Sequence, residues 1–267
     1  METSGQSLSP IGQMSSPLTV AQEAVDRPLA AFSHDYAPGH DTGRHSHARA
    51  QLLYATAGVM RIATGSAGWI VPPGRALWVP AGEVHAVRTD GHVAMRALFF
   101  RADAARVGPA TTAVLAIAPL LHELVLAACV LPLEWDPAGR AGHLAALILE
   151  ELAAAPVLPL GVPEGRDPRL RRVTAALRAH PADARGLEAW AGAAGASVRT
   201  LARLFRTETG MGFAAWRQQL RLAEAAALLA AGAAPAQAAA RVGYASASAF
   251  GAAFRAAFGH TPGTPHG

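Results

Sequence analysis

Ser197-Val198-Arg199-Thr200-Leu201-Ala202-Arg203-Leu204-Phe205-Arg206, closed by Gly210, is echoed by Ser246-Ala247-Ser248-Ala249-Phe250, Phe254-Arg255 and Gly259. In each copy an apolar residue stands four before a Phe-Arg pair, and a Gly stands four after the Arg. Ahead of each copy lies a Gly, Gly195 or Gly243, where a tight turn would separate two short helices. Helix, glycine turn and amphipathic helix make a helix-turn-helix, whose second helix can enter a DNA major groove. Two such units on one domain can reach two successive grooves.

The first unit reads as a helix from Gly186 to Ala193, a turn at Gly195-Ala196, and a recognition helix from Ser197, its N-cap, to about Glu208. Val198, Leu201, Leu204 and Phe205 form the inward stripe, which turns Arg199, Thr200, Ala202, Arg203 and Arg206 outward. Arg199 and Arg203 lie one helical turn apart, and Arg can grip guanine O6 and N7 together. A solvated basic face is the plain alternative, and the repeat tips the balance toward DNA. The second unit runs Pro235–Val242, a turn at Gly243-Tyr244-Ala245, and a helix from Ser246 to about Phe258. Its outward residues, Ala247, Ser248, Gly251, Ala252 and Arg255, are small, so this unit reads as a positioner with Arg255 on phosphate. Between the units, 213–231 reads as one long helix with Trp216, Leu220, Ala223 and Ala227 inward.

Charge is split along the 267-residue chain. Residues 167–267 hold 12 Arg against 5 Asp and Glu, whereas 1–166 hold 11 Arg against 14. A basic module joined to a mildly acidic one fits a polyanion binder on a separate partner domain. All the Lys/Arg positions are Arg, the better residue for bidentate phosphate or guanine contacts, with nucleotide composition of so Ala-rich a chain as the plain alternative. Cys129 stands alone, so no intrachain disulfide can form, and its apolar surroundings suit packing. With neither a signal peptide nor an apolar run of membrane length, the expectation is a cytoplasmic protein without membrane contact.

Upstream, residues 1–25 are rich in Ser, Pro, Gly and Gln and read as a disordered tail. From 26 to 102, short strands such as 51–56, 59–64, 68–71, 76–79 and 93–100 are punctuated by Gly and Pro, the pattern of a barrel or jelly roll. Residues 103–155 read as helical, with stripes at Leu120, Leu121, Leu124, Val125 and Ala128, and at Leu144, Leu147, Ile148 and Leu152. Residues 156–166 read as a Pro/Gly linker, and 167–262 as the DNA-binding domain, with Asp167 capping a helix opened by Pro168. The fold class is thus α+β and multidomain: a β-barrel with following helices, then an all-α double helix-turn-helix.

The C-terminal stretches resemble the AraC/XylS family of bacterial transcription regulators. The resemblance rests on 197–206, Glu208-Thr209-Gly210, Trp216, Arg221-Leu222, Val242-Gly243-Tyr244, Ser248-Ala249-Phe250, Phe254-Arg255, Phe258-Gly259 and Thr261-Pro262. It implies that both units face DNA, with Arg199, Ala202 and Arg203 as readers in the first and Ala247, Ser248 and Ala252 in the corresponding places of the second. The chain departs from the family at its end, Thr264-Pro265-His266-Gly267, where an aromatic residue often follows the Thr-Pro pair.

In the barrel, His45 and His47 are spaced to share one face of a strand, and His85 follows the Pro80-Ala81-Gly82 turn. Three neutral imidazoles suit a divalent transition metal: Zn, Ni, Fe, Mn or Cu. The spacing is similar to the two cupin motifs, through Gly39, His45, His47, Gln51 and Gly58, then Gly74, Pro80, Gly82 and His85. Gln51 stands where cupin metal sites usually carry Glu, and Thr89 where the second motif usually ends in Asn. Gln51 is then a weak fourth ligand or a partner to bound water. The same histidines could instead line a metal-free organic pocket, with Arg75, Trp69 and Trp78 as further lining candidates. His34, His40 and His92 have no partner spacing and read as structural.

Two functions follow. One is a DNA-binding transcription regulator answering to a small-molecule or metal effector, dimeric through 103–155, and in contact with RNA polymerase if it activates. The other is a metal-dependent cupin enzyme, a dioxygenase or isomerase with an accessory helical domain. Near the histidines only Glu83 offers a carboxylate for acid–base work, and an enzyme has no use for the basic repeat; the regulator without catalytic activity is the favoured reading.

Overall fold

The computed structural model describes residues 19–65, 67–158 and 161–263. Its N-terminal half is built of two antiparallel sheets. The larger holds β1 (Leu29–Tyr36), β2 (Ala50–Ala57), β5 (Arg75–Val79), β7 (Val93–Phe100), β8 (Ala113–Ala116) and β9 (Val157–Leu158), in the order β1-β7-β2-β5-β8-β9. The smaller runs β10 (Gly161–Pro163), β4 (Ala67–Val71), β3 (Met60–Thr64), β6 (His85–Thr89).

Alternate residues of the larger sheet face opposite ways. Leu53, Leu77, Val79, Met95 and Phe99 face the smaller sheet and meet Met60, Ile62, Val71 and Val87 inside the barrel. Leu52, Tyr54, Trp78, Leu98 and Phe100 face outward and are covered by α2 (Pro119–Cys129) and α3 (Arg140–Ala154) through Leu121, Val125, Ile148 and Leu152. Both faces are buried, so these strands read as apolar runs rather than as clean alternation.

Three expectations change. Residues 103–118 hold no α-helix: a short 3-10 helix at Ala104–Val107 leads to β8, which pairs with β5 from Arg75↔Ala116 to Trp78↔Ala113. The β-branched Thr111, Thr112 and Val114 favour that extended path, and the helix starts only at Pro119. The connector 156–166 is no free linker. Its β9 pairs with β8 and its β10 with β4, so the chain leaves the barrel as an edge strand. The tail assigned to 1–25 falls largely outside the described residues, but its end is ordered as α1 (Val20–Ala24).

The C-terminal half is helical: α4 (Pro168–Ala179), α5 (Leu187–Ala194), α6 (Val198–Thr209), α7 (Phe213–Ala230), α8 (Pro235–Arg241) and α9 (Ala247–Phe258). The caps expected at Asp167 and Ser197 form, and Ser246 adds a third. Asp167 accepts from Arg169 N, Ser197 from Thr200 N and Ser246 from Ala249 N. Gly195 and Gly243 turn the chain at φ +67° and +84°, a region costly for residues with a Cβ. α7 serves both units. Trp216 and Leu220 pack with Trp190, Leu201 and Phe205, while Leu222 and Ala226 pack with Phe250 and Phe254.

The two halves are bound together. Trp216 Nε1 donates to Pro163 O at 2.7 Å, Gln219 donates to Gly161 O, and Arg178 Nη2 donates to Val162 O at 2.5 Å. Arg61 of β3 reaches Glu224 of α7 with both terminal nitrogens.

Candidate DNA-reading face and histidine centre

α6 is amphipathic, with Leu201, Leu204 and Phe205 buried beneath it. Arg199, Arg203 and Arg206 are exposed, and Thr200 and Ala202 are half-buried. Val198, expected inward, is 42 % exposed, because the first helical residue overhangs the edge of the core. On α9, Ala247, Ser248, Ala252 and Arg255 are exposed, and the last three line an open groove with Gly251 and Ala256.

Many arginines elsewhere are held by carboxylates: Arg61, Arg88, Arg96, Arg101, Arg169, Arg178 and Arg185. Among the described residues, none of Arg199, Arg203, Arg206 and Arg255 forms such a pair. Arg221, which sequence reading noted only as part of a pattern, binds the two units together. Its Nε donates to Pro181 O, Nη1 to Gly243 O and Nη2 to Asp183 O, at 2.9, 2.9 and 3.1 Å.

The three histidines do come together. His45 and His85 bridge two chain segments by reciprocal backbone bonds of 2.9 and 2.8 Å. A ligand nitrogen from each of His45, His47 and His85 lies within 4.8 Å of the others. Each Nδ1 already faces an oxygen: Gly43 O at 3.0 Å for His45, Glu23 Oε1 at 2.8 Å for His47, Glu83 O at 3.0 Å for His85. Such partners fix the Nδ1–H tautomer and leave Nε2 as the free lone pair. Among the described residues, His85 Nε2 and Gln51 Oε1 are buried with no hydrogen-bond partner. Gln51 stands on the inner face of β2 opposite Phe99, and the His47 ring packs edge-on against Phe99 at 5.0 Å.

Burial holds the imidazolium form of His85 down to a value of about 4. It lowers His47 as well, against the opposing pull of Glu23. Both rings are therefore neutral near pH 7, the form that ligates. Glu23 was missed in the sequence because it lies on α1, in the segment read as disordered. It also accepts from Ala48 N at 3.0 Å, and Arg49 pins α1 by donating to Glu23 O, Val25 O and Arg27 O.

The other lining candidates go elsewhere. Trp78 is buried on the outer face of the sheet, against Phe100. Trp69 lies half-buried beside β10, and Arg75 turns toward the C-terminal half.

Two family models match the chain: an AraC-like ligand binding domain over residues 29–158 and a helix-turn-helix domain over 190–264. The HTH-type transcriptional regulator NimR of Escherichia coli (strain K12) is 32 % identical over 219 residues, covering 82 % of this chain and 80 % of NimR. The HTH-type transcriptional regulator RipA of Corynebacterium glutamicum is 39 % identical over 109 residues, 41 % of this chain and 32 % of RipA. Among solved structures, ToxT from Vibrio cholerae O395 aligns over 88 % of this chain and 95 % of its own, with a TM-score of 0.37 and 9 % identity. Among the described residues no helix is long and apolar enough to cross a membrane. A sensor-type barrel joined to two helix-turn-helices, matched over most of its length by a regulator of the same kind, places this chain in the AraC family of transcription regulators.

Proposed function

We propose that the chain binds an operator through α6 and α9, and that a divalent transition metal at His45, His47 and His85 sets its affinity for that operator. The observation carrying this reading is the trio of imidazoles, each with Nδ1 turned to an oxygen and its other nitrogen left for a common ion. The donor set fits a borderline metal such as Zn, Ni, Fe, Mn or Cu: three neutral nitrogens, a neutral amide oxygen, and a carboxylate behind one ring. When bound, such an ion supplies charge and a fixed geometry at the barrel mouth. His85 lies on β6, which pairs with β3, and β3 carries Arg61 to Glu224 on α7. That chain of contacts supports transmission from the barrel to the helix between the two units.

On α6, Arg199 and Arg203 read bases, and Arg206 contacts phosphate, with Thr200 and Ala202 between them. On α9, Ala247, Ser248 and Ala252 allow close approach, and Arg255 meets phosphate. α2 leaves Leu120 exposed, and Val130 just beyond it is 84 % exposed, which supports a homodimer through this region. The protein acts as a regulator without catalytic activity of its own.

The test is a mobility-shift titration of the promoter beside the gene, with metal-stripped and metal-loaded full-length protein. A loading-dependent change in affinity that disappears in the His45→Ala/His47→Ala/His85→Ala variant is expected. Metal in both proteins at trace level, with the same response, would leave the histidines as plain lining of the pocket; unchanged metal content with the response lost in the variant would place them at an organic effector instead.

A further inference from the structure

A second cavity lies between the two halves, away from the histidines. It measures about 410 Å³ and is walled by Pro72 and Arg75 of the barrel and by Leu229, Phe254, Phe258 and His260 of the helical half. That is the size of a small-ligand site.

Its one cationic wall is Arg75, only 9 % exposed. A buried guanidinium ordinarily has a carboxylate beside it. Here none does among the described residues, and the cavity wall contains neither Asp nor Glu. Burial without a counter-charge pulls the guanidinium below its usual range. Nη1 is used, donating to Gly74 O at 2.8 Å. Among the described residues Nε is buried and has no partner, and Nη2 has one long contact, 3.4 Å to His260 Nε2. Nε and Nη2 form the side edge of the guanidinium, which takes both oxygens of a carboxylate at once. Phe258 lies against the same group, 5.9 Å from ring centre to Cζ. The remaining wall, Leu229, Phe254 and Pro72, is apolar.

We propose that this cavity binds a small apolar monocarboxylate, its head on the Nε–Nη2 edge of Arg75 and its hydrocarbon body against Leu229, Phe254 and Phe258. A phosphate or a sugar suits the site less well, since one cation and an apolar wall leave most of their oxygens unpaired. Arg75 belongs to β5 of the barrel, whereas Phe254 and Phe258 belong to α9. The bound acid thus ties the barrel to the second helix-turn-helix. The site is separate from the histidine centre, and its occupancy does not depend on metal.

Isothermal titration of full-length protein with octanoate tests this, with octanamide as the uncharged isostere. Octanoate is expected to bind saturably at one site per chain. Affinity should fall at least about tenfold in Arg75→Gln, the loss expected for a charged hydrogen-bonded pair. Leu229→Trp, which fills the cavity and leaves Arg75 in place, should abolish binding. The His45→Ala/His47→Ala/His85→Ala variant should bind octanoate as the parent does, which separates this site from the metal reading. Absence of saturable octanoate binding, equal binding of octanamide, or unchanged affinity in a folded Leu229→Trp chain would overturn the assignment.

Discussion

Arg61 and Glu224 meet fork to fork, Nη1 on Oε1 and Nη2 on Oε2, both at 2.8 Å, and this pair joins the barrel to the helix shared by the two DNA-reading units. Arg61 Nε also meets Asp90 at 2.5 Å, so the guanidinium is fully engaged. Glu224 is nearly buried, and its loss of partner would be felt. Glu224→Gln keeps the shape and removes the charge. A double-mutant cycle of Arg61→Met with Glu224→Gln, read by chemical denaturation, should give a coupling of about 1–3 kcal/mol. The same variants should lose most of the effector dependence of operator binding while still binding DNA. Full effector dependence in the double variant would remove this pair from the signalling route.

Arg199→Ala and Arg203→Ala should each weaken specific operator binding by about 1–3 kcal/mol, the scale of a lost bidentate base contact. Both side chains are exposed on a capped helix. Ala247→Gly should cost less, since α9 presents little to read. Fluorescence anisotropy on specific and scrambled duplexes checks this. Equal losses on the two duplexes would assign the arginines to phosphate alone.

Arg221 closes three backbone carbonyls from two loops with one side chain. Its removal leaves Pro181 O, Gly243 O and Asp183 O without those donors. Arg221→Ala should destabilise the helical half by about 2–4 kcal/mol and weaken binding to two-groove sites more than to a single half-site. A melting curve unchanged from the parent would show that water replaces the guanidinium at no cost.

The helix-turn-helix repeat was legible because its signals are local: Ser N-caps, turn glycines and an apolar stripe all lie within a dozen residues. Ser197, Gly195 and Gly243 stand as read, and Ser246, read only as the start of its helix, caps it as Ser197 does. The histidine trio was legible from its spacing, but not as strand geometry: His45 sits in an isolated bridge to His85, and His47 lies in the irregular segment before β2. Glu23 was not legible, because nothing near it in the chain marks it as a partner of His47, 24 residues away. β8 and β10 were also missed. So short a strand is made by the neighbours it pairs with, β5 and β9 for β8 and β4 for β10, and neither 113–116 nor 161–163 alternates on its own. Arg75 could have lined either the barrel or an interface; only the packing of α9 against the β4–β5 turn decides that.

β10 has a consequence for domain boundaries. Val162 is buried with Leu170, Leu201 and Trp216, and Pro163 O receives the Trp216 indole. A fragment beginning at Gly161 should therefore be more stable than one beginning at Asp167, by about 1–3 kcal/mol for one buried apolar side chain and one buried hydrogen bond. Thermal melts of the two fragments compare them directly. Identical melting would show that the barrel's edge strand gives the helical half no support.

The histidine centre should show its chemistry in acid and in a partner variant. His85 has a folded-state value of about 4, below the ordinary imidazole value near 6.5, and is 1 % exposed. In metal-free protein the unfolded chain takes up a proton there before the folded chain does. The stability His85 contributes is therefore complete above about pH 6.5 and lost as pH falls toward 4, up to about 3 kcal/mol. His85→Asn should flatten that part of the pH–stability curve. Bound Zn²⁺ needs the neutral rings, so metal should steepen the acid limb: it stabilises at pH 7 and is released toward pH 4. Glu23→Gln removes the carboxylate behind His47 and should weaken Zn²⁺ binding about 10–100-fold, measured by competition with a chromophoric chelator. Gln51→Glu should tighten it by supplying an anionic ligand. Equal Zn²⁺ affinity across the parent, Glu23→Gln and Gln51→Glu, with the same acid limb in each, would leave the three histidines as neutral lining of the barrel mouth.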